Sequence, residues 1–286
     1  MEKVTRILAV AEDPETGIVV LDKAVAMARC FGARVELLVI EVAHAHAFAA
    51  LCSARGYDAV TLSSLHRGSQ PVHEIILRRV LENSHDLVIK APAGARPMRR
   101  WMLDDNDWSL TRDCPVSVLL ARDRKWTKPL RFAAAVDVSD PDTEDVARSI
   151  LHTAGFLAMG FHGNLDILYS ELEMCDETLR MERAVKLAQL VREFHVGCER
   201  IQVLSGEPAK TLLPLVAARQ YDVLVLGARS RSPLRSSITG GTAGQLVEAS
   251  SGDVVLVKAQ AQEMRHSGWR QRSVVEQGLQ ETEQLV

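Results

Sequence analysis

Short, nearly continuous apolar runs alternate along this chain with stretches whose apolar residues recur at helical spacing. The runs at 7–11, 34–40, 58–65, 87–89 and 116–120 have the length of strands. Between them, 17–31 and 72–81 read as amphipathic helices, the second with Val72, Ile75, Ile76 and Val80 on one face. The pattern then repeats, with strands predicted at 132–136, 165–169, 200–204, 223–226 and 254–257, and helices at 143–159, 174–195, 209–220 and 243–250. Strands that are apolar without alternation are buried on both faces, and strand–helix alternation builds parallel βαβ units. The prediction is an α/β chain made of two tandem, doubly wound domains, each with a five-stranded parallel sheet.

Internal similarity points the same way. Arg6-Ile7-Leu8-Ala9-Val10-Ala11-Glu12 aligns with Arg131-Phe132-Ala133-Ala134-Ala135-Val136-Asp137, and Asp86-Leu87-Val88-Ile89-Lys90 with Asp222-Val223-Leu224-Val225-Leu226. The second pair is further apart, so the second copy carries extra residues, expected in its long helix at 174–195. The predicted division is a first domain at 1–122, a charged, helix-breaking linker, a second domain at 130–258, and a polar Gln/Glu-rich tail at 259–286 that reads as a mobile or docking segment. The two domains are expected to pair through their last strands as an intrachain pseudo-dimer, with homodimerisation also open.

Composition removes several classes of function. The chain has 286 residues, 47% hydrophobic and 25% charged, which suits a globular protein. With 34 Lys and Arg against 37 Asp and Glu the net charge is −3, and aromatics are only 5%. Neither a basic excess nor a stacking platform for nucleic acid exists. No apolar run reaches the roughly 18 residues of a membrane span, and the apolar run near the start is too short for a signal peptide, so a cytoplasmic location is expected. Cys30, Cys52, Cys114, Cys175 and Cys198 are scattered and odd in number, which argues against a disulfide framework or clustered-thiol zinc.

The most informative stretch runs from Gly227 to Gln245, after the fourth strand of the second copy. Gly227 ends a strand, where open α/β sheets bind ligands. Gly240 and Gly241 precede Thr242, which is predicted to cap the next helix in a Thr-x-x-Gln box with Gln245. Backbone free of side chains at a helix start is an anion cradle, and Arg229, Arg231 and Arg235 add charge. A long connection ahead of a capped helix accounts for the same residues without a ligand.

Gly227, a polar loop, Gly240 and a nearby hydroxyl residue, ahead of a helix and a final strand, together resemble the universal stress protein family. Asp137 with Ser139 after a first strand, Gly206-Glu207-Pro208-Ala209 after a third, and Cys114-Pro115-Val116 before a last strand are similar to it too. The resemblance covers about 4–258 as two copies. Asp107-Trp108 before the last helix of the first copy, and Gly240-Gly241-Thr242-Ala243 in the second, resemble the tandem branch. It implies a universal-stress (adenine nucleotide alpha-hydrolase-like) fold and a regulatory protein of the stress response. The ligand would be ATP, AMP or another adenine nucleotide. Gly227, Arg229, Ser230, Gly240, Gly241 and Thr242 would lie along its phosphates and Asp137 at the nucleoside end, or beside a Mg²⁺. Ser230 stands where the family has its second glycine, and Gly241 where it has Ser or Thr.

The corresponding loop of the first copy, from Lys90 to Trp108, carries Asp104, Asp105 and Asp107 near the place of the glycines. A carboxylate about 4 Å from a phosphate repels it by about 1 to 4 kcal/mol, so the first copy is expected to have lost phosphate binding and to serve as a structural partner. His44 and His46 form an H-x-H pair that suits zinc, with Cys52, Asp58, His66 and His73 in range, although solvent-facing histidines explain it as well. The chain has no G-x-S-x-G, Walker or H-E-x-x-H motif. The expectation is binding without turnover. Weak ATP hydrolysis or phosphotransfer at the same loop, and a stress interaction protein that needs no ligand, are the alternatives.

Overall fold

The computed structural model describes residues 4–92, 103–139, 143–171, 176–193, 201–219, 221–228 and 241–258. The expectations for Arg229, Ser230, Arg231, Arg235, Gly240, Cys175, Cys198 and the tail lie outside these residues. The first half runs β1 (Arg6–Ala11), α1 (Pro14–Phe31), β2 (Arg34–Val39), α2 (Ala45–Ala54), β3 (Val60–Ser64), α3 (Val72–Asn83), β4 (Leu87–Lys90), α4 (Asp105–Asp113) and β5 (Ser117–Leu120). The second runs β6 (Arg131–Ala135), α5 (Glu144–Phe161), β7 (Asn164–Glu171), α6 (Glu177–Glu193), β8 (Ile201–Ser205), α7 (Pro208–Arg219), β9 (Val223–Gly227), α8 (Thr242–Ala249) and β10 (Asp253–Val257). No helix among the described residues is long and apolar enough to cross a membrane.

The ten strands form one sheet in the order β3-β2-β1-β4-β5-β10-β9-β6-β7-β8. Every pairing within a half is parallel. The seam is antiparallel, with Leu120 opposite Val254, Leu119 opposite Val255 and Val118 opposite Leu256. Two sheets of five strands thus become one sheet of ten. Because the seam is antiparallel, the carboxyl ends of the two sets of strands lie at opposite edges of the sheet.

Side chains alternate across the pleat, so each central strand feeds two cores. Ile7, Ala9 and Ala11 of β1 join the core under α1, α5 and α6, while Leu8 and Val10 join the one under α3, α4, α7 and α8. This double burial is what makes the strands read as unbroken apolar runs. The first core is continuous across the seam. Phe31 of α1 stacks on Phe156 of α5 with ring centroids 4.3 Å apart, and Phe161 meets Phe31 and Trp126 edge-on. Gly160 permits that approach, since a Cβ there would sit 2.3 Å from Phe31.

The charged linker proves to be docked rather than a spacer. Asp253, which starts β10, accepts hydrogen bonds from Lys23 Nζ (2.5 and 2.7 Å), the Arg122 backbone N–H (2.6 Å) and Trp126 Nε1 (2.6 Å). Burial pushes the Asp253 carboxyl up and pulls the Lys23 ammonium down, and their mutual attraction opposes both shifts. Three groups from α1 and the linker therefore converge, through four hydrogen bonds, on one carboxylate of the opposite half.

Candidate functional site

A cavity of about 490 Å³ opens at the carboxyl edge of the second half, where β6 and β9 send their connections in opposite directions. Such switch points are where open α/β sheets place ligands, and the volume falls within the usual range for small-molecule sites. Four of the ligand-binding residues expected from the sequence meet there: Asp137, Gly227, Gly241 and Thr242.

Asp137 follows β6, and its Oδ1 accepts from Ser139 N (2.9 Å) and Ser139 Oγ (2.6 Å), a local turn that fixes the carboxylate at the rim. Gly227 ends β9. A Cβ there would lie 2.4 Å from Val146 Cγ1, so the glycine is required for α5 to pack against the strand end. The predicted cap shifts by one residue. Gly241 is the N-cap, with extended backbone, and Thr242 is the first helical residue, so the N-cap residue brings no side chain to the helix start. Gly241, Thr242, Ala243 and Gly244 all line the cavity. First-turn N–H groups and the positive end of a helix dipole are suited to an anion.

Several lining residues carry no motif. β7 extends two residues beyond the predicted strand and brings Glu171 to the site, 5% exposed and paired with Arg183 of α6 at 3.2 Å. Tyr169, on the same face of β7, is buried, and its hydroxyl has no hydrogen-bond partner among the described residues. Burial and then the Glu171 charge push it up to about 12, with the Arg183 guanidinium alongside pulling the other way. The most distant members are Trp108 and Thr111, which belong to α4 of the first half. Trp108 lies within the first turns of α4 rather than before it.

At the equivalent strand end in the first half the chain places an internal ion cluster. Lys90, at the end of β4, is buried and reaches Asp107 Oδ1 (2.6 Å), Glu12 Oε1 (2.7 Å) and the Ala91 carbonyl (3.0 Å). Glu12 aligns with Asp137 and Ala91 with Gly227 in the sequence repeat. Burial opposes the ammonium, but the Asp107 and Glu12 charges overrule it and raise Lys90 above its ordinary value. Asp104 caps α4 by accepting from Asp107 N (2.7 Å), and Asp107 returns the contact to Asp104 N (3.4 Å). The aspartates expected to repel a phosphate thus also have a structural role. Asp104 and Asp107 occupy the helix start themselves, and an internal ammonium neutralises the second. Asp105 is exposed.

The histidines do not assemble. His44 ends a single 3₁₀ turn and His46 lies in the first turn of α2. His66 instead meets Glu41 at 3.1 Å and His73 meets Asn106 at 2.9 Å. Among the described residues no three His, Cys, Asp or Glu side chains come together as a metal site.

Comparisons with known proteins agree with this geometry. Residues 134–258 match the universal stress protein family. Universal stress protein E of Salmonella typhi is 23% identical over 203 residues, which span 65% of this chain and 64% of that protein. The homologue from Haemophilus influenzae is 22% identical over 203 residues, covering 65% and 66%. The chain thus matches just under two thirds of the first of these relatives. A solved structure from Pseudomonas aeruginosa UCBPP-PA14, assigned by name to the universal stress proteins, superposes with a TM-score of 0.76 at 24% identity, covering 90% of this chain and 94% of that one. A universal stress protein from Archaeoglobus fulgidus DSM 4304 gives 0.68 at 16% identity, covering 90% and 97%; both likenesses concern the fold. Residues 134–258 thus match the universal stress protein family by sequence, and the chain as a whole shares the fold of solved universal stress proteins.

Proposed function

We propose that the chain is a regulatory protein of the stress response, acting in the cytoplasm, that binds an adenine nucleotide (ATP or AMP) in the second half without turning it over. The first half is its structural partner. One observation carries this reading: the 490 Å³ cavity gathers Asp137, Gly227, Gly241 and Thr242 at the switch point. The start of α8 supplies N–H donors to phosphate, Thr242 adds a hydroxyl, and Asp137 suits a ribose or a bridging Mg²⁺. The arginines at 229, 231 and 235 would bring the positive charge that the described wall supplies only through Arg183, already paired with Glu171.

The test is isothermal titration of the full chain with ATP and AMP, with and without Mg²⁺, alongside native mass spectrometry of the protein as purified. Micromolar binding weakened by Asp137→Ala, with no product released, supports the reading. No heat at millimolar nucleotide, together with no copurified nucleotide, overturns it.

A further inference from the structure

The cavity crosses the half-to-half seam, and its far wall is foreign to the half that carries the rest. It runs over the carboxyl ends of β7, β6, β9 and β10, from Glu171 to Leu256. Three inter-strand steps of about 4.8 Å give a span of ~14 Å. Its β7 end is polar, with Glu171 and Arg183. Its β10 end is an apolar slot between α8 and α4, lined by Val247 and Leu256 from one half and by Trp108 and Thr111 from the other.

This slot follows from the topology. The antiparallel seam sets α4 and α8 side by side in one core, which holds Leu110 of α4 with Leu246 and Val247 of α8. Trp108 and Thr111 are three apart on the helix and share a face. Thr111 Oγ1 donates to the Trp108 carbonyl at 3.0 Å. The residue before Trp108 is Asp107, fully buried and held by Lys90 and by its box with Asp104. The ion cluster at the first half's strand end thus anchors the turn of α4 that presents the indole to the cavity.

We propose that Trp108, with Thr111, is a ligand-contacting residue supplied by the first half, so that the second half's site is complete only when the halves are docked. The occupant is an organic anion whose ring or other apolar body reaches the α4–α8 slot. Its identity as an adenine nucleotide rests on the preceding reading; the composite wall does not. Ligand binding and docking of the halves are then one linked equilibrium, in which each strengthens the other.

The experiment uses the full chain with two probes, ATP and the aromatic sulfonate 8-anilinonaphthalene-1-sulfonate. Affinity is measured by titration, and proximity by quenching of tryptophan emission (ATP) or energy transfer to the sulfonate. Trp108→Ala should weaken binding about tenfold, while Trp108→Phe, which keeps the wall, should bind within about threefold of wild type and lose the emission signal. The Phe variant keeps the test valid if the Ala variant folds poorly. Should ATP fail to bind while the sulfonate shows the Trp108-dependent signal, the nucleotide reading falls and the composite site stands. If neither probe gives a Trp108-dependent change, or if either binds equally well to all three proteins, the composite site is wrong.

Discussion

Replacing Lys90 by Met tests the internal ion cluster at the first half's strand end. The side chain of Lys90 is 2% exposed and that of Asp107 is 0%, so the substitution takes an ammonium away from a carboxylate in the interior. Glu12 is 28% exposed and can turn to water, so nearly all of the penalty falls on Asp107. Removing one partner of a buried pair costs about 3 to 5 kcal/mol, a large share of the roughly 5 to 15 kcal/mol that holds a domain folded. Urea unfolding followed by circular dichroism should show the midpoint falling with an unchanged slope. Adding Asp107→Asn should recover at least half of the loss, because the Asn keeps the shape and a hydrogen-bonding oxygen without the charge. Lys90 is raised, so its contribution is complete below the unfolded value and is lost only as pH climbs through the folded one. The destabilisation should therefore be flat from neutral to moderately alkaline pH. A Lys90→Met protein within about 1 kcal/mol of wild type, or a double variant as weak as the two single losses added together, would refute the reasoning.

Further outcomes follow from the same physics. Asp253→Ala should destabilise by about 3 to 5 kcal/mol in the same urea assay, since Lys23 and the Trp126 indole N–H lose a common buried acceptor. Gly227→Ala should cost about 1 to 3 kcal/mol by overpacking against Val146, and Val146→Ala should restore part of it; no recovery would mean the glycine serves something other than packing. Burial, against the pull of Glu36, holds the His85 imidazole below its ordinary value, so on acidification the unfolded chain takes up this proton first. Stability should decline as pH falls below about 6.5, and His85→Gln should flatten that part of the profile.

The strands were legible because both faces of the sheet are covered, which leaves their apolar runs unbroken. The apolar run of β7 stops two residues before the strand does for the complementary reason. Ser170 and Glu171 look like the start of a loop, and only the Arg183 partner, twelve residues on, makes a buried glutamate tenable. Asp137, Gly241 and Thr242 could be found because strand ends and helix starts announce themselves by residue type. Asp104 and Asp107 carried a second meaning: the residues that signal a missing phosphate site are also a helix cap. Lys90 gave no warning, since its charge balance depends on Glu12, far away in the chain. Trp108 was visible as a motif detail, but its reach into the other half depends on the direction of the seam, which no single stretch of sequence encodes.

The covalent link between the halves has a consequence for symmetry. In a dimer of identical subunits every substitution is made twice, so a site cannot be plugged in one subunit and kept open in the other. Here the β5–β10 seam joins two versions of the same strand order that are free to change independently. One holds an internal ion cluster at its strand ends, while the other keeps a hollow that its neighbour helps to wall. Division of labour, rather than doubling of capacity, is what such a chain can gain from carrying its partner on the same polypeptide.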